Sequence, residues 1–245
     1  MITIASVNME GIRHIDTVIA FILKTKPVCL ALQEAPASVI DQLVRLGYFV
    51  SFAPMTYEAS VAPGDTLGVI LATTVPATIT THYYQAKYGT PTPFDPQDQH
   101  TKAYPLVHTS FTIESAHYTI ATTHLLDTFD GLTNANQETC VEKLLAYTKS
   151  LPPHVLIGDF NMPRGYNTNY ERFLQAGYTD HIPTTYTSSL DRTLHRKGNA
   201  TNLNAPIFDI YMVDYVFGMT PYHVSDVSLT FGVSDHAAIT ATISQ

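Results

Sequence analysis

The stretch VLIGDFN at residues 155–161 joins an apolar run to two polar side chains, Asp159 and Asn161. A short, β-rich apolar run of this kind predicts a buried strand, with the carboxylate and the amide at its end. Binding and catalytic groups often occupy such positions, because the sheet holds them rigidly while the loops leave room for a ligand. The stretch therefore predicts a functional site at one end of a β-sheet.

Polar residues interrupt or follow apolar strands at several other points along the chain. They follow the runs ITIASV and VCLAL, end the run IATTH, and lie within MVDYVF and VSDHAAI. A single polar residue at a strand end is usually just solvated, but a repeated series of amides, carboxylates and imidazoles favours one shared site. The residues concerned are Asn8, Glu34, His124, Asp214, Asp235 and His236.

The order of the predicted elements indicates an α/β fold. Strands and helices alternate at first, and consecutive strands without helices then fill residues 48–126, which implies antiparallel pairing. A helix over 136–151 and further strands follow, with long polar loops at 85–103 and 184–206. Two packed, mostly antiparallel sheets flanked by helices would bury this many strands. We interpret residues 1–245 as a single domain.

The composition excludes several classes of protein. Hydrophobic residues make up 45% of the 245 residues, which excludes a disordered chain. No apolar run approaches the roughly 20 residues of a membrane helix, and the strand that begins at Ile2 leaves no room for a signal peptide. The two cysteines, Cys29 and Cys140, match no metal motif and fit a reducing compartment. We therefore expect a cytoplasmic monomer without a membrane span.

The charge of the chain suggests a metal cofactor. The formal net charge is −8, whereas proteins that grip long nucleic acids are usually basic. An acidic protein can hold a phosphorylated substrate through a bridging cation. The candidate ligands are rich in oxygen and contain no thiol, which favours Mg²⁺ or Mn²⁺ over Zn²⁺. The sequence motifs of phosphate-binding loops, dinucleotide-binding folds and serine hydrolases are absent.

Six short motifs occur in an order that resembles a known superfamily. They are NMEG (8–11), LQE (32–34), THL (123–125), GDFN (158–161), DYVF (214–217) and SDH (234–236). Together they resemble the endonuclease/exonuclease/phosphatase superfamily, over nearly the whole chain. The resemblance implies the DNase I-like fold, a four-layered α/β sandwich. It also implies a phosphodiesterase or nuclease that depends on a divalent metal ion.

The resemblance also implies roles for the metal-binding residues. Glu34 corresponds to the principal metal ligand, and Asn8 lies beside it. Asp235 corresponds to a supporting ligand. All three offer the oxygen atoms that Mg²⁺ or Mn²⁺ prefers.

A second group of residues corresponds to the catalytic machinery of the superfamily. Asp159 would orient or deprotonate the attacking water, and Asn161 would hold the phosphate and that water. His236 would contact the scissile phosphate while Asp214 holds its ring, and His124 would contact the phosphate or the leaving group. The implied mechanism is direct in-line attack of water on phosphorus without a covalent intermediate.

The resemblance leaves the substrate open. DNA ends or short nucleic acids are one expectation, and a small soluble or lipid-derived phosphate ester is the alternative, which the acidic net charge favours. A catalytically silent binding domain on the same scaffold is a third. Basic residues that follow GDFN could bind the substrate phosphate, with Arg164 and Arg192 as the chosen candidates. The full set is Arg164, Arg172, Arg192, Arg196 and Lys197.

Overall fold

Two β-sheets form the centre of the molecule, and their strands are numbered in chain order. The computed structural model describes residues 1–128, 130–196 and 207–245. The first sheet contains β1 (Ile2–Asn8), β2 (Cys29–Pro36), β3 (Phe49–Tyr57), β4 (Leu67–Thr73), β6 (Thr92–Pro93), β12 (His223–Thr230) and β13 (Ala238–Ser244). The second sheet contains β5 (Ile79–Gln85), β7 (Tyr104–Ile113), β8 (Ala116–His124), β9 (Val155–Asp159), β10 (Thr179–Asp180) and β11 (Asp214–Gly218).

Helices connect and flank the strands. The described α-helices are α1 (Ile15–Thr25), α2 (Ile40–Arg45), α3 (Ala135–Thr148), α4 (Asn169–Gln175) and α5 (Ile207–Ile210). In the described part of the chain, none of them combines the length and the apolar character that crossing a membrane requires.

The strand order places a parallel pair inside each sheet. The first sheet has the order β12-β13-β1-β2-β4-β3-β6, and the second has the order β10-β11-β9-β8-β7-β5. The pairs β1–β2 and β8–β9 are parallel, and helices α1 and α3 supply the crossovers that parallel pairing requires. The short β3–β6 pair is also parallel, while the remaining described pairs are antiparallel. The expected mostly antiparallel arrangement of two sheets is confirmed.

Alternating residues of the inner strands pack into two different cores. In β1, Ile4 belongs to the core that includes residues of both sheets, whereas Ala5 belongs to the core that includes α1 and α2. In β2, Ala31 and Leu32 divide in the same way. Because both faces are covered, these strands appear in the sequence as continuous apolar runs.

The second strand differs from its prediction and extends beyond Glu34 to Pro36. Its pairing with β4 shifts register between Leu32 and Ala35, and resumes with Pro36 opposite Leu67. This β-bulge contains Glu34, so the side chain is turned out of the regular alternation. Pro36 is the last residue of the strand, and a 3₁₀ turn over Ala37–Val39 follows it.

Candidate active site

The site lies at one edge of the two sheets, where strand ends from both sheets meet. In the second sheet, β8 and β9 run parallel and end at the register partners His124 and Asp159. Strand β11 runs antiparallel to β9 and begins at Asp214, directly opposite Asp159. In the first sheet, β1 ends at Asn8. Because β13 runs antiparallel to β1, His236, which precedes it, reaches the same edge.

The backbone at this edge has unusual conformations. Gly158 has a φ of 143°, and a Cβ there would lie 2.2 Å from the carbonyl oxygen of Thr123 in β8, so only glycine fits. Three polar residues have left-handed φ values, namely Glu10 (49°), Glu34 (48°) and Asn161 (49°). Such conformations are uncommon outside glycine and are frequent at functional sites.

Asp159 is the centre of the hydrogen-bond network. It is 1% exposed, its Oδ2 accepts from Asn8 Nδ2 at 2.9 Å, and its Oδ1 accepts from the backbone N–H of Asn161 at 2.9 Å. The Nε2 of His124 lies 3.7 Å from Oδ2, and the Nδ1 of His236 lies 3.9 Å from it. Burial, and then the nearby carboxylate of Asp214, raise the pKa of Asp159.

His236 forms a buried pair with Asp214. Its Nδ1 lies 2.7 Å from Asp214 Oδ2. Burial alone would disfavour the charged ring, but the carboxylates of Asp214 and Asp159 outweigh it and raise the pKa of His236 well above its usual value. The contact with Asp214 therefore favours the imidazolium form of the ring, 3.9 Å from Asp159 Oδ2.

His124 and Asn161 form a second contact near Asp159. The Nδ2 of Asn161 lies 3.1 Å from His124 Nε2 and donates to the carbonyl oxygen of Leu125 at 3.0 Å. Within the described residues, His124 Nδ1 is buried without a hydrogen-bond partner. The side-chain amide of Asn161 therefore holds the ring through Nε2.

A cleft of about 290 Å³ is lined by these side chains except Asp214, which lies behind His236 as its hydrogen-bond partner. Glu34 lies in its wall with 23% of its side chain exposed, and its Oε1 is 3.8 Å from His124 Nε2. Burial favours the neutral acid, but the charges of His124 and Lys102 outweigh it and lower the pKa of Glu34. Asp235 lines the same cleft, and its burial raises its pKa to about 7. The pKa values of the two carboxyl groups are thus shifted in opposite directions.

No protein-family model and no curated protein matches the sequence, but solved structures match almost the whole chain. An endonuclease/exonuclease/phosphatase family protein from Leptotrichia buccalis superposes with a TM-score of 0.71 at 17% identity, covering 100% of both chains. The human Nocturnin catalytic domain with bound sulfate anion gives 0.69 at 16% identity, covering 99% of this chain and 93% of that chain. The D. rerio TDP2 complexed with single strand DNA product gives 0.67 at 16% identity, covering 100% of this chain and 99% of that chain.

The chain has the endonuclease/exonuclease/phosphatase fold. The DNase I-like sandwich that the six motifs implied is thereby confirmed. The structure brings all eight of the residues assigned from those motifs to the strand-end edge. They are Asn8, Glu34, His124, Asp159, Asn161, Asp214, Asp235 and His236.

The charge and the donor atoms of the cleft fit a divalent cation. The raised pKa of Asp235 comes from its burial and, further, from the nearby carboxylates of Glu10 and Glu34, a repulsion that a bound cation would relieve. Carboxylate and amide oxygens of Glu34, Asp235 and Asn8 are donors that suit Mg²⁺ or Mn²⁺.

Two sets of three His or carboxylate groups also approach within 4.8 Å of one another in the described part of the chain. They are Asp159, Asp214 and His236, and Glu10, His14 and Asp235. In the first set, the Oδ2 of Asp214 already accepts hydrogen bonds from His236 and Ser189. Asp235 of the second set also lines the cleft.

Sequence reasoning did not identify three groups near the site. Glu10 is 1% exposed and forms ion pairs with Arg196 and with His14, the latter at 3.1 Å. Its position in the NMEG motif, two residues after Asn8, was the available signal. Lys102 and Ser189 come from long polar loops, and no periodicity marks them in the sequence.

The two arginines predicted to bind substrate lie elsewhere. Arg164 donates to Asp180 Oδ2 at 2.8 Å and to the carbonyl oxygens of Ile182 and Tyr186 at 3.0 and 2.7 Å, so its guanidinium fixes a loop. Arg192 pairs with Asp209 at 2.7 Å.

The cleft instead contains other basic residues. Lys102 and Arg196 line the cleft itself. Arg192 lines a neighbouring groove of about 610 Å³. Arg172 donates to the carbonyl oxygen of Glu138 in α3 at 3.2 Å. Lys197 lies outside the described residues.

Proposed function

We propose that the protein is a divalent-metal-dependent phosphoric ester hydrolase that acts by direct in-line attack of water on phosphorus. The observation that carries the proposal is the position of Asp159. This buried carboxylate has His124 Nε2 at 3.7 Å and His236 Nδ1 at 3.9 Å from its Oδ2, and it lines the same cleft as Glu34, whose pKa is lowered. The same cleft thus contains a general base (Asp159), a cationic side chain (His236) and an anionic ligand for a metal ion (Glu34).

The residues of the cleft divide into those that hold the cation and those that act on the substrate. Glu34 and Asn8 hold the metal ion, with Asp235 in support. A divalent cation bound there polarises the phosphoryl oxygens and neutralises part of their charge.

The remaining residues handle the attacking water and the phosphate. Asp159 accepts a proton from the water, and its raised pKa increases the basicity of the ionised carboxylate. His236, held as imidazolium by Asp214, places a positive charge beside the phosphate oxygens as their negative charge grows. Asn161 orients the phosphate and the water, and His124 faces the phosphate or the leaving group. Because these groups are already in place, little reorganisation is needed during the reaction.

The proposed substrate is a phosphodiester at a DNA end or in a short nucleic acid. The D. rerio TDP2 with a similar fold is complexed with single strand DNA product. A second candidate is a small soluble or lipid-derived phosphate ester. It is favoured by the cleft volume of about 290 Å³ and by the ion pairs of Lys102 with Glu58 and of Arg196 with Glu10.

The proposal is tested by turnover across a set of substrates. A nitrophenyl phosphodiester, a nitrophenyl monoester, single-stranded DNA and abasic duplex DNA are each incubated with Mg²⁺, Mn²⁺ or EDTA. We expect turnover of at least one diester with either metal, loss of it in EDTA, and loss of about 10²-fold or more in Asp159→Asn. Asp41→Asn, an exposed change in α2, is the matched control and should retain activity. Full activity in excess EDTA, or in Asp159→Asn, would contradict the proposal.

A further inference from the structure

The segment that carries Ser189 is fixed against the residues that precede β13. The backbone N–H of Ala237 donates to the carbonyl oxygen of Ser189 at 2.7 Å, and that of Asp191 donates to the carbonyl oxygen of Asp235 at 2.7 Å. Between them, Leu190 and His236 form an isolated β-bridge. The segment thus acts as a short additional strand beside His236.

The hydroxyl of Ser189 has a defined direction. Its Oγ is buried, and it lies 2.6 Å from Asp214 Oδ2. The same Oγ accepts from the backbone N–H groups of Val213 at 3.2 Å and of Asp214 at 3.3 Å. The hydroxyl thus donates its proton to Asp214 and accepts from the two backbone N–H groups on its oxygen.

Two donors therefore meet on one carboxylate oxygen. Asp214 Oδ2 accepts from the Ser189 hydroxyl at 2.6 Å and from His236 Nδ1 at 2.7 Å. Without the hydroxyl, the carboxylate could turn about its terminal torsion, which is a soft one. We propose that Ser189 is a positioning residue, whose hydroxyl fixes the Asp214 carboxylate in the orientation that holds the His236 ring toward the cleft.

The catalytic consequence of this proposal rests on the proposed hydrolase function. Ser189→Ala should lower kcat about tenfold, because the loss of one hydrogen bond to a charged group corresponds to a factor of about that size. The KM and the metal concentration that gives half-maximal activity should each change less than twofold. In an Asp214→Asn background the same change should add no further loss, because the two residues act as one unit. Ser189→Thr, which keeps the hydroxyl, should recover part of kcat.

Ser188→Ala is the matched control. The Oγ of Ser188 donates to the carbonyl oxygen of Tyr211 at 3.2 Å and accepts from the backbone N–H of Leu190 at 3.2 Å, on the same segment as Ser189. A purely structural role predicts that both alanine variants lower the melting temperature and leave kcat per folded molecule unchanged. If Ser189→Ala does not fold, Ser189→Cys replaces it with the same expected result, because a thiol of similar size is a weak donor.

A readout that needs no substrate separates this proposal from the function itself. The Nδ1–H proton of His236 in its bond to Asp214 should give a downfield proton resonance, assigned by its loss in His236→Ala. The resonance should move in Ser189→Ala and stay in place in Ser188→Ala. If it moves while no phosphate ester is hydrolysed by the wild type, the function fails and the positioning role stands. An unmoved resonance, or an unchanged kcat in Ser189→Ala, would overturn the proposal.

Discussion

Glu34 and Asp235 line the same cleft, yet their surroundings act on them in opposite ways. Burial favours the neutral form of both. For Glu34 the nearby charges of His124 and Lys102 prevail and lower the pKa, whereas burial prevails for Asp235 and raises its pKa to about 7. For the proposed function we infer a division of roles, in which Glu34 is ionised before a cation binds and Asp235 loses its proton when the cation binds.

This division predicts different responses to metal concentration. Glu34→Gln should weaken metal binding, so that raising Mg²⁺ restores part of its activity. Asp159→Asn should not be restored in this way, because the variant lacks the group that accepts the proton of water. Turnover measured over a series of Mg²⁺ concentrations checks both, and equal recovery of the two variants would show that the roles are misassigned.

Asp235 also predicts how the stability of the metal-free protein depends on pH. Its pKa is about 7 in the folded protein against 3.8 for the ordinary carboxyl, so folding favours the protonated form. Well below pH 3.8, the Asp235 carboxyl therefore does not reduce the free energy of unfolding. As the pH rises from 3.8 to about 7 it reduces the free energy of unfolding progressively, and above about pH 7 the reduction is constant. The difference between the two pKa values corresponds to about 4 kcal/mol as an upper value.

The measurement is the free energy of unfolding in EDTA at pH 5 and pH 8. Asp235→Asn should be more stable than the wild type, with the larger advantage at pH 8, and added Mg²⁺ should reduce that advantage. Asp191→Asn is the control: burial opposes ionisation of Asp191, but hydrogen bonds from Thr193 and Gly232 outweigh it and lower its pKa. Its loss of stability should therefore be the same at both pH values. An advantage of Asp235→Asn that does not grow with pH would refute the assignment.

The eight strand-end residues could be predicted from the sequence, whereas the residues that support them could not. A polar group that ends an apolar run can be recognised in the sequence pattern. Several such groups can then be expected at one edge of the sheet. Ser189 and Arg164 have no such mark. Ser189 is defined by a contact with Asp214, 25 residues away along the chain, and Arg164 by contacts with a loop 16 to 22 residues away. Only the fold brings these groups together.

At the scale of elements, the bulge in β2 is the clearest departure from the predicted structure. The apolar run predicts where a buried strand begins. A strand that is apolar on both faces has no alternation of polar and apolar residues, so the extra residue of a bulge cannot be recognised in its sequence. The sequence therefore indicates an end of the strand where Gln33 and Glu34 interrupt the apolar run. In the structure Gln33 stays buried, because its side chain bonds Ser6 in β1 and Thr122 in β8.

The position of Arg164 predicts a structural effect on the loop that follows β10. Arg164→Ala should lower the free energy of unfolding by about 2–3 kcal/mol, since Asp180 and two carbonyl groups lose a charged donor. KM should change less than twofold. Arg172→Ala, which removes the longer 3.2 Å bonds to Glu138 and Asn169, is the control and should cost less. A large rise in KM with unchanged stability would instead restore the substrate-binding role predicted from the sequence.

At the scale of the whole molecule, the formal net charge of −8 limits how nucleic acid can bind. Lys102 and Arg196 line the cleft, and each already pairs with a carboxylate, at 3.4 Å from Glu58 in the case of Lys102. If the proposed substrate is a nucleic acid, we expect it to gain few phosphate contacts with lysine or arginine in the described part of the cleft, and a bound metal ion would then provide much of the attraction.

The dependence of binding on salt measures the number of these contacts directly. Each phosphate contact contributes a slope of about −0.7 in log K against log salt for a single strand. With Lys102 and Arg196 as the two donors, we expect a slope of about −1.4 for a short single-stranded DNA bound to Asp159→Asn at fixed Mg²⁺. Lys102→Gln should reduce the slope by about one contact, whereas Lys149→Gln, at the end of α3, should leave it unchanged. A slope steeper than about −4, from six or more contacts, would contradict the expectation and require an extended basic surface for long nucleic acids.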